Sequence, residues 1–545
     1  MTFRETLRRG DPAIWFTGAG LGVSLLMITG MIGLILVNGL GFFWPTAITR
    51  LTLADGTAML GEIVTREATP KPGTPEHLRN YRLQMKVGNR DLYGADFRWV
   101  DEATITARSE PREAVYVERR EYGPFIGTPV RLKDGDREIA AGADPVWHAL
   151  QPLIEKADVD RERIREIERD SIGAINAAIE AERLAIRRLE IAAARGGSTD
   201  PSARAASEQR VGDLNEQYAR AEKLLHEVVA SASNTRVVLA SVDGQEKELP
   251  TLDIVRAYRA NELSVAGRVG VYSGRLWEFL AGEPRESNTE GGIFPAIFGT
   301  VMMVILMSLM AVPFGVLAAL YLREYAHQGL LVRLVRIGVN NLAGVPSIVF
   351  GVFGLGFFVH FVGGSIDQAF FAERLPTPTF GTGGILWASL TLSLLTVPVV
   401  IVAAEEALGA VPRSMREASL ATGATKFQTI LRVVLPAAAP GILTGLILAM
   451  ARGSGEVAPL MITGVVKLAP DLPLDAIAPF AHFDRKFMHL GYHIYDVGFQ
   501  SPNVEAAKPM VYATAILLLF IVVALNLTAI VVRNHLRKRY QSSAF

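Results

Sequence analysis

Cysteine is missing from all 545 residues, which removes disulfide staples, thiolate metal ligands and a cysteine nucleophile together. Net charge is missing too: 55 Lys and Arg stand against 55 Asp and Glu. No global field therefore draws the chain to nucleic acid, and no nucleic-acid partner is expected. No G-x-x-x-x-G-K-[ST] sequence occurs, so a P-loop for ATP is not expected. Ser, His and Asp lack the context of a nucleophile elbow, which argues against a hydrolase. His489-x-x-x-His493 with Asp496 has helical metal-ligand spacing, but no Glu follows the first His and a Gly intervenes. A polar loop is expected there, and no metal site. With 50% hydrophobic and 20% charged residues, a disordered chain is also excluded.

What is present is strongly segregated. Six windows are long enough to cross a bilayer core of ~30 Å, which takes about 20 helical residues. They run from Ile14 to about Trp44, then over Ile293–Leu322, Ile337–Val362, Gly384–Ala404, Val433–Thr463 and Pro509–Val532. Only the fifth contains charges, Arg452 and Glu456. The first is about twice as long as a signal h-region, and no A-x-A site follows, so it reads as a retained span. Arg4, Arg8 and Arg9 precede it. Arg323, Arg333 and Arg336 lie between spans two and three, Arg413, Arg416, Lys426 and Arg432 between four and five, and Arg533, Arg537, Lys538 and Arg539 in the tail. The link between three and four offers only Arg374, and the loop before span six is mixed. This bias puts both termini in the cytoplasm.

The same count leaves residues 46–290 outside as a periplasmic insertion. Its short alternating runs, Tyr81–Val87, Ala114–Val117, Pro129–Leu132 and Arg236–Ala240, predict strands. Between them, Ile172, Ile175, Ile179, Glu182, Ile186 and Leu189 keep a 3-4 spacing, as do Val211, Leu214, Tyr218, Ala221, Leu225 and Val228. Two such stripes predict an antiparallel helical hairpin over about residues 157–232. Asp200 is the expected N-cap and Pro201 the first helical residue of its second arm. The hairpin is either a spacer or a docking surface. The expected fold is thus an all-α membrane domain of six transmembrane helices plus an α+β periplasmic insertion. The expected units are residues 1–45 (N-terminus and first span), 46–290 (insertion), 291–535 (permease core) and 536–545 (cytoplasmic tail).

Two stretches carry chemistry. Residues 405–432 form a cytoplasmic loop with small residues (Ala418, Ser419, Ala421) on a short helix and Gly423 at a turn. Such a helix fits a groove on another protein, with Arg416, Glu417 and Lys426 orienting it through charge pairs. In the fifth window, Arg452 and Glu456 at i, i+4 share a helix face and can pair. An ionisable group at that depth costs ~3 kcal/mol even on the lenient insertion scale, so it faces a partner or a watered path. A guanidinium offers a donor fork suited to phosphate oxygens. The alternative is an ion pair that only joins helices. Asn340, Asn341 and Ser347 either line the same path or bond neighbouring helices.

Glu417-Ala418-Ser419, Gly423 and Val433-x-Leu435-Pro436 resemble the EAA loop of ABC-importer permeases. The resemblance implies a coupling helix docking on an ATPase. Gly291–Ile297, Asn341–Gly351 and Ala451–Pro459 narrow it to the PstA family of phosphate-importer permeases, over about residues 285–535. What this implies is a non-enzymatic subunit that imports inorganic phosphate, with Arg452 and Glu456 in the anion pathway. It implies no cofactor in this chain, ATP and Mg being bound by the partner. The implied partners are a PstC-like second permease, an ATPase dimer, a periplasmic phosphate-binding protein and membrane lipid. The insertion has no counterpart in short members. A permease for sulfate or molybdate, or a membrane-anchored scaffold or phosphate sensor acting through the insertion, are the alternatives.

Overall fold

The computed structural model describes residues 11–69, 80–196, 201–501 and 504–541. Arg4, Arg8, Arg9 and the expected cap Asp200 lie outside the described residues, as does the side chain of Arg539.

Among the described residues, six helices are long and apolar enough to span a membrane: Trp15–Gly41, Phe294–Tyr325, Ser347–Phe370, Ile385–Ala410, Lys426–Gly453 and Val504–Lys538. They are not equivalent. The fourth is the hub, with 67% of its most apolar stretch buried inside the protein, against 0% for the first. Its neighbours approach closely because small residues face it: a Cβ on Gly445 would meet Ala403 at 2.5 Å, and one on Gly315 would meet Val400 at 2.6 Å. Met303, Met307, Leu392, Leu395 and Met450 fill the centre of this bundle.

Two sequence windows are cut where the charge count alone shows nothing. The helix Leu330–Leu342, bearing Arg333 and Arg336, ends before Pro346, and the third span starts at Ser347. Proline removes an N–H and forces its predecessor out of the helical region, so the charge-free window from Ile337 crossed a break. The fifth window breaks likewise. Its helix Leu435–Gly453 stops at the Ser454–Gly455 turn, and a short helix, Ala458–Thr463, follows with Pro459 in its first turn. Two glycines flanking a serine weaken the helix, and Pro459 restarts it. Arg452 is therefore on the helix, but Glu456 is not.

Among the described residues, the two main sheets between the first two spans hold eleven antiparallel strands, β1 (Ile48–Leu53), β2 (Ala58–Ala68), β3 (Tyr81–Lys86), β4 (Phe97–Asp101), β5 (Ile105–Ser109), β6 (Val115–Arg119), β7 (Phe125–Asp134), β8 (Arg137–Ala141), β9 (Thr235–Ala240), β10 (Glu246–Pro250) and β11 (Ile254–Tyr258). One sheet runs β4-β3-β2-β1-β5; the other runs β10-β9-β7-β6-β11, with β8 also on β7. Val115, Val117, Phe125, Leu132, Val237 and Leu239 of the second sheet pack on Val146 and Leu150 of the helix Ala143–Glu166. That helix begins before residue 157 and runs on, through a wider-turn stretch Ile167–Gly173, into Ala174–Ala194. Pro201–Ser233 lies along it, with Arg210 bonded to Glu182 (2.6 Å) and Arg204 near Glu190 (3.5 Å). Partner numbers rise on one helix as they fall on the other.

Polar contacts tie this region to the membrane part. Gln84 donates to Glu505 (3.2 Å) at the start of the last span, and Arg188 reaches Glu373 (2.7 Å), between spans three and four, from the far end of the helical rod; within the region, Arg90 pairs with Glu286 (2.7 Å) just before span two.

Candidate functional site

The loop after span four folds into a compact unit. Its helix, Arg413–Ala421, ends in a left-handed glycine: Gly423 has φ +88°. The N–H of Gly423 bonds to the Leu420 carbonyl (3.0 Å) and that of Ala424 to the Ser419 carbonyl (3.3 Å). This pair of bonds satisfies carbonyls that the helix end would leave bare. Thr425 then caps the next turn, exchanging hydrogen bonds with Gln428. Ser419 and Thr429 hydroxyls meet at 2.9 Å, closing the unit.

Charge fixes the loop to span two. Arg416 pairs with Glu324 (3.0 Å) and donates to the Leu408 carbonyl (2.6 Å). Lys426 donates to the Glu324 carbonyl and stands 4.9 Å from the Tyr325 ring centre. Glu324 was absent from the expected set; an acid just beyond span two, opposite a basic loop, was its only sequence signal. Glu417 and Ala418 are exposed, and Glu417 has no polar partner among the described residues. The inward side of the loop is thus occupied by span two, and the side carrying Glu417, Ala418 and the half-exposed Leu420 is open.

Arg452 and Glu456 face each other at 3.8 Å, Nε to Oε1, across the turn. Their side chains are 34% and 22% exposed, so the pair borders open space and is not sealed between helices. The turn is held from behind by residues that sequence reasoning assigned to a polar outer loop. His489 is buried and its Nδ1 accepts from the backbone N–H groups of Gly491 (3.1 Å) and Tyr492 (3.4 Å). The neutral ring therefore carries its proton on Nε2. Burial lowers its pKa to about 4; the Ser454 backbone opposes this, though no well-formed hydrogen bond reaches Nε2. A Cβ on Gly491 would stand 2.9 Å from Val457, and the Leu490 N–H bonds to Thr300 of span two (2.9 Å). The segment is wedged between span two and the Arg452 turn.

The metal reading finds no support in this geometry. His493 contacts Thr514 (3.3 Å) and Asp496 pairs with Lys467 (3.3 Å), and no group of three or more His, Cys, Asp or Glu suited to a metal occurs among the described residues. Asn340 and Asn341 sit exposed on the separate helix before Pro346, away from any bond to Arg452. Ser347 opens a helix that packs on Ala458–Thr463, with Gly351 against Pro459.

Comparison with known sequences identifies these elements as parts of the membrane subunit of an importer. The sequence pattern of the binding-protein-dependent transport system inner membrane component family matches residues 311–542. The phosphate transport system permease protein PstA 1 of Mycobacterium tuberculosis (strain CDC 1551 / Oshkosh) is 35% identical over 45% of this chain and 71% of its own length. PstA of Mycobacterium leprae (strain TN) is 35% identical over 44% and 69%. The chain belongs to this PstA family of permeases. Among solved structures, an inward-facing MetNI methionine ABC transporter covers 44% of this chain and 94% of that chain at 18% identity, with a TM-score of 0.33.

Proposed function

We propose that this chain is the permease subunit of an ATP-driven ABC importer that carries inorganic phosphate inward across the bacterial inner membrane. The observation that carries this reading is the 35% identity to PstA permeases over most of their length. The chain is a transport component and not an enzyme; hydrolysis belongs to a separate ATPase. The open face of the Arg413–Ala421 helix is the docking surface for that ATPase. Its attachment to Glu324 passes the ATPase's motion into span two, and the Gly423 turn keeps the helix in register.

Arg452 lies at the end of the fifth span, on the side of the insertion. We assign it the task of meeting the anion as an external binding protein releases it. Glu456 holds the guanidinium in place, and also keeps the site from binding the anion too tightly, because a free carboxylate repels phosphate. A second, PstC-like permease covers the open side of the pair. Both termini are cytoplasmic and the inserted domain is periplasmic.

Uptake of labelled phosphate at micromolar concentration, with and without this chain and with excess sulfate or molybdate, tests the reading. Loss of uptake without the chain, unaffected by the competitors, is expected. Undiminished uptake in cells lacking other phosphate importers, or uptake blocked by either competitor, refutes it.

A further inference from the structure

Where the inserted domain meets the membrane part, residues 37–44 at the end of the first span and residues 505–509 at the start of the last enclose a cavity of about 380 Å³ with the sheets. That is large enough for a small ligand or a lipid headgroup. Its walls divide by chemistry. Val37, Trp44 and Pro509 supply an apolar side continuous with the two spans, whereas Glu62, Lys86, Arg285 and Glu290 line the other.

Most charges nearby already have partners. Glu118 is held by Arg275 (2.6 Å) and Arg256 (2.8 Å), and Glu278 by Arg285 (2.7 Å). Glu62 differs: it is 9% exposed, accepts one hydrogen bond from Thr46 (2.6 Å) and forms no ion pair among the described residues. Glu290 forms none either, and burial pushes its carboxyl up, with Lys86 and Arg285 only opposing that shift. Arg285 spends one nitrogen on Glu278, while its Nε and Nη1 are buried without an acceptor. Lys86 donates to the Tyr116 hydroxyl (2.9 Å) and has two further N–H groups.

Two carboxylates without an ion pair among the described residues and a guanidinium with two unbonded nitrogens, beside an apolar wall, match a zwitterion on an acyl tail. Both spans reach the surface here, so the surrounding bilayer is the source. We propose that the cavity holds the headgroup of an aminophospholipid, its primary ammonium between Glu62 and Glu290 and its phosphodiester against Arg285 and Lys86. A quaternary choline has no N–H for the carboxylates to accept, and an anionic glycerol headgroup leaves both carboxylates unmatched.

The full chain is placed in nanodiscs containing equal phosphatidylethanolamine, phosphatidylcholine and phosphatidylglycerol of one acyl composition. Retained lipid is then counted by native mass spectrometry. Retention of phosphatidylethanolamine about tenfold above phosphatidylcholine is expected, since one charge-assisted hydrogen bond suffices for that ratio. The Glu62→Gln/Glu290→Gln variant loses the preference. Val64→Trp, which fills the cavity from its half-exposed rim, loses the bound lipid altogether. Equal retention of the two zwitterionic lipids, a preference for phosphatidylglycerol, or unchanged retention in both variants overturns the proposal. Should either variant fail to insert, the preference of the unaltered chain decides alone.

Discussion

Residue chemistry sets what the pore can recognise. Arg452 borders open space and among the described residues has a single, rather long ion pair, with Glu456 at 3.8 Å, which leaves most of its donors free for an anion. Arg452→Gln keeps a polar, hydrogen-bonding side chain, though a shorter one, and removes the charge. Phosphate uptake is expected to fall at least tenfold, the worth of one charge-assisted bond, while co-purification with the partner subunits is unchanged. Undiminished uptake would return Arg452 to a structural role. Gly423 makes a different demand, for backbone and not for charge. Its φ of +88° lies where a Cβ is strained, although nothing stands within 4 Å of the place a Cβ would take. Gly423→Ala is therefore expected to weaken the loop by about 1 kcal/mol, and Gly423→Asn, which tolerates this conformation, by less. Binding of the ATPase to membranes carrying each variant measures the order, and a larger loss for Asn than for Ala would sink the backbone argument.

At the scale of elements, the membrane part was legible because helices that cross lipid must be long and uncharged, and six windows of that kind stand out. Their ends were not legible. A charge-free count passes through Pro346 and through Gly453-Ser454-Gly455, since neither break changes hydropathy, and this placed Glu456 on a helix it does not belong to. The wedge from His489 to Tyr495 was missed for a related reason. Its histidines look like those of any polar loop until Thr300 and Val457, distant in sequence, close over them. Burial is the measurable consequence. His489 and His493 have their pKa lowered by burial to about 4 from 6.5, with Lys467 adding to the effect at His493. Between those values the unfolded chain binds more protons than the folded one, so stability rises with pH across this window and is lost as pH falls from 6.5 toward 4. Each histidine contributes on the order of 3 kcal/mol to that loss. Thermal unfolding in detergent should show the midpoint dropping through this range, with a shallower drop in His489→Gln and His493→Gln. An unchanged slope in both would mean the rings are hydrated.

Across the whole molecule, the inserted domain is attached at two places that are far apart in the chain. Gln84 holds the sheets to Glu505 at the start of the last span, and Arg90 holds them to Glu286 just before the second. Arg188, beyond the wider-turn stretch Ile167–Gly173, reaches Glu373 between spans three and four. The helical rod thus reaches from the sheets to the loop between spans three and four, a relation that no local pattern encodes because its two partners stand 185 residues apart. As an energy the outer contact is small. Arg188 is well exposed although Glu373 is buried, and the Glu373 carboxylate is held by its own backbone before Arg188; with one partner open to solvent the pair contributes about 1 kcal/mol, so Arg188→Ala alone should alter stability little. Its value is geometric, and the absence of cysteine from the chain makes the geometry easy to read. Cysteines placed at 188 and 373 should be joined by a short bismaleimide in intact membranes, whereas a pair at 188 and 505 should not. If the first pair stays unlinked, the rod does not reach that loop. If it links and phosphate uptake then stops, the rod must leave the outer face during each transport cycle. Uptake that continues would make it a fixed brace.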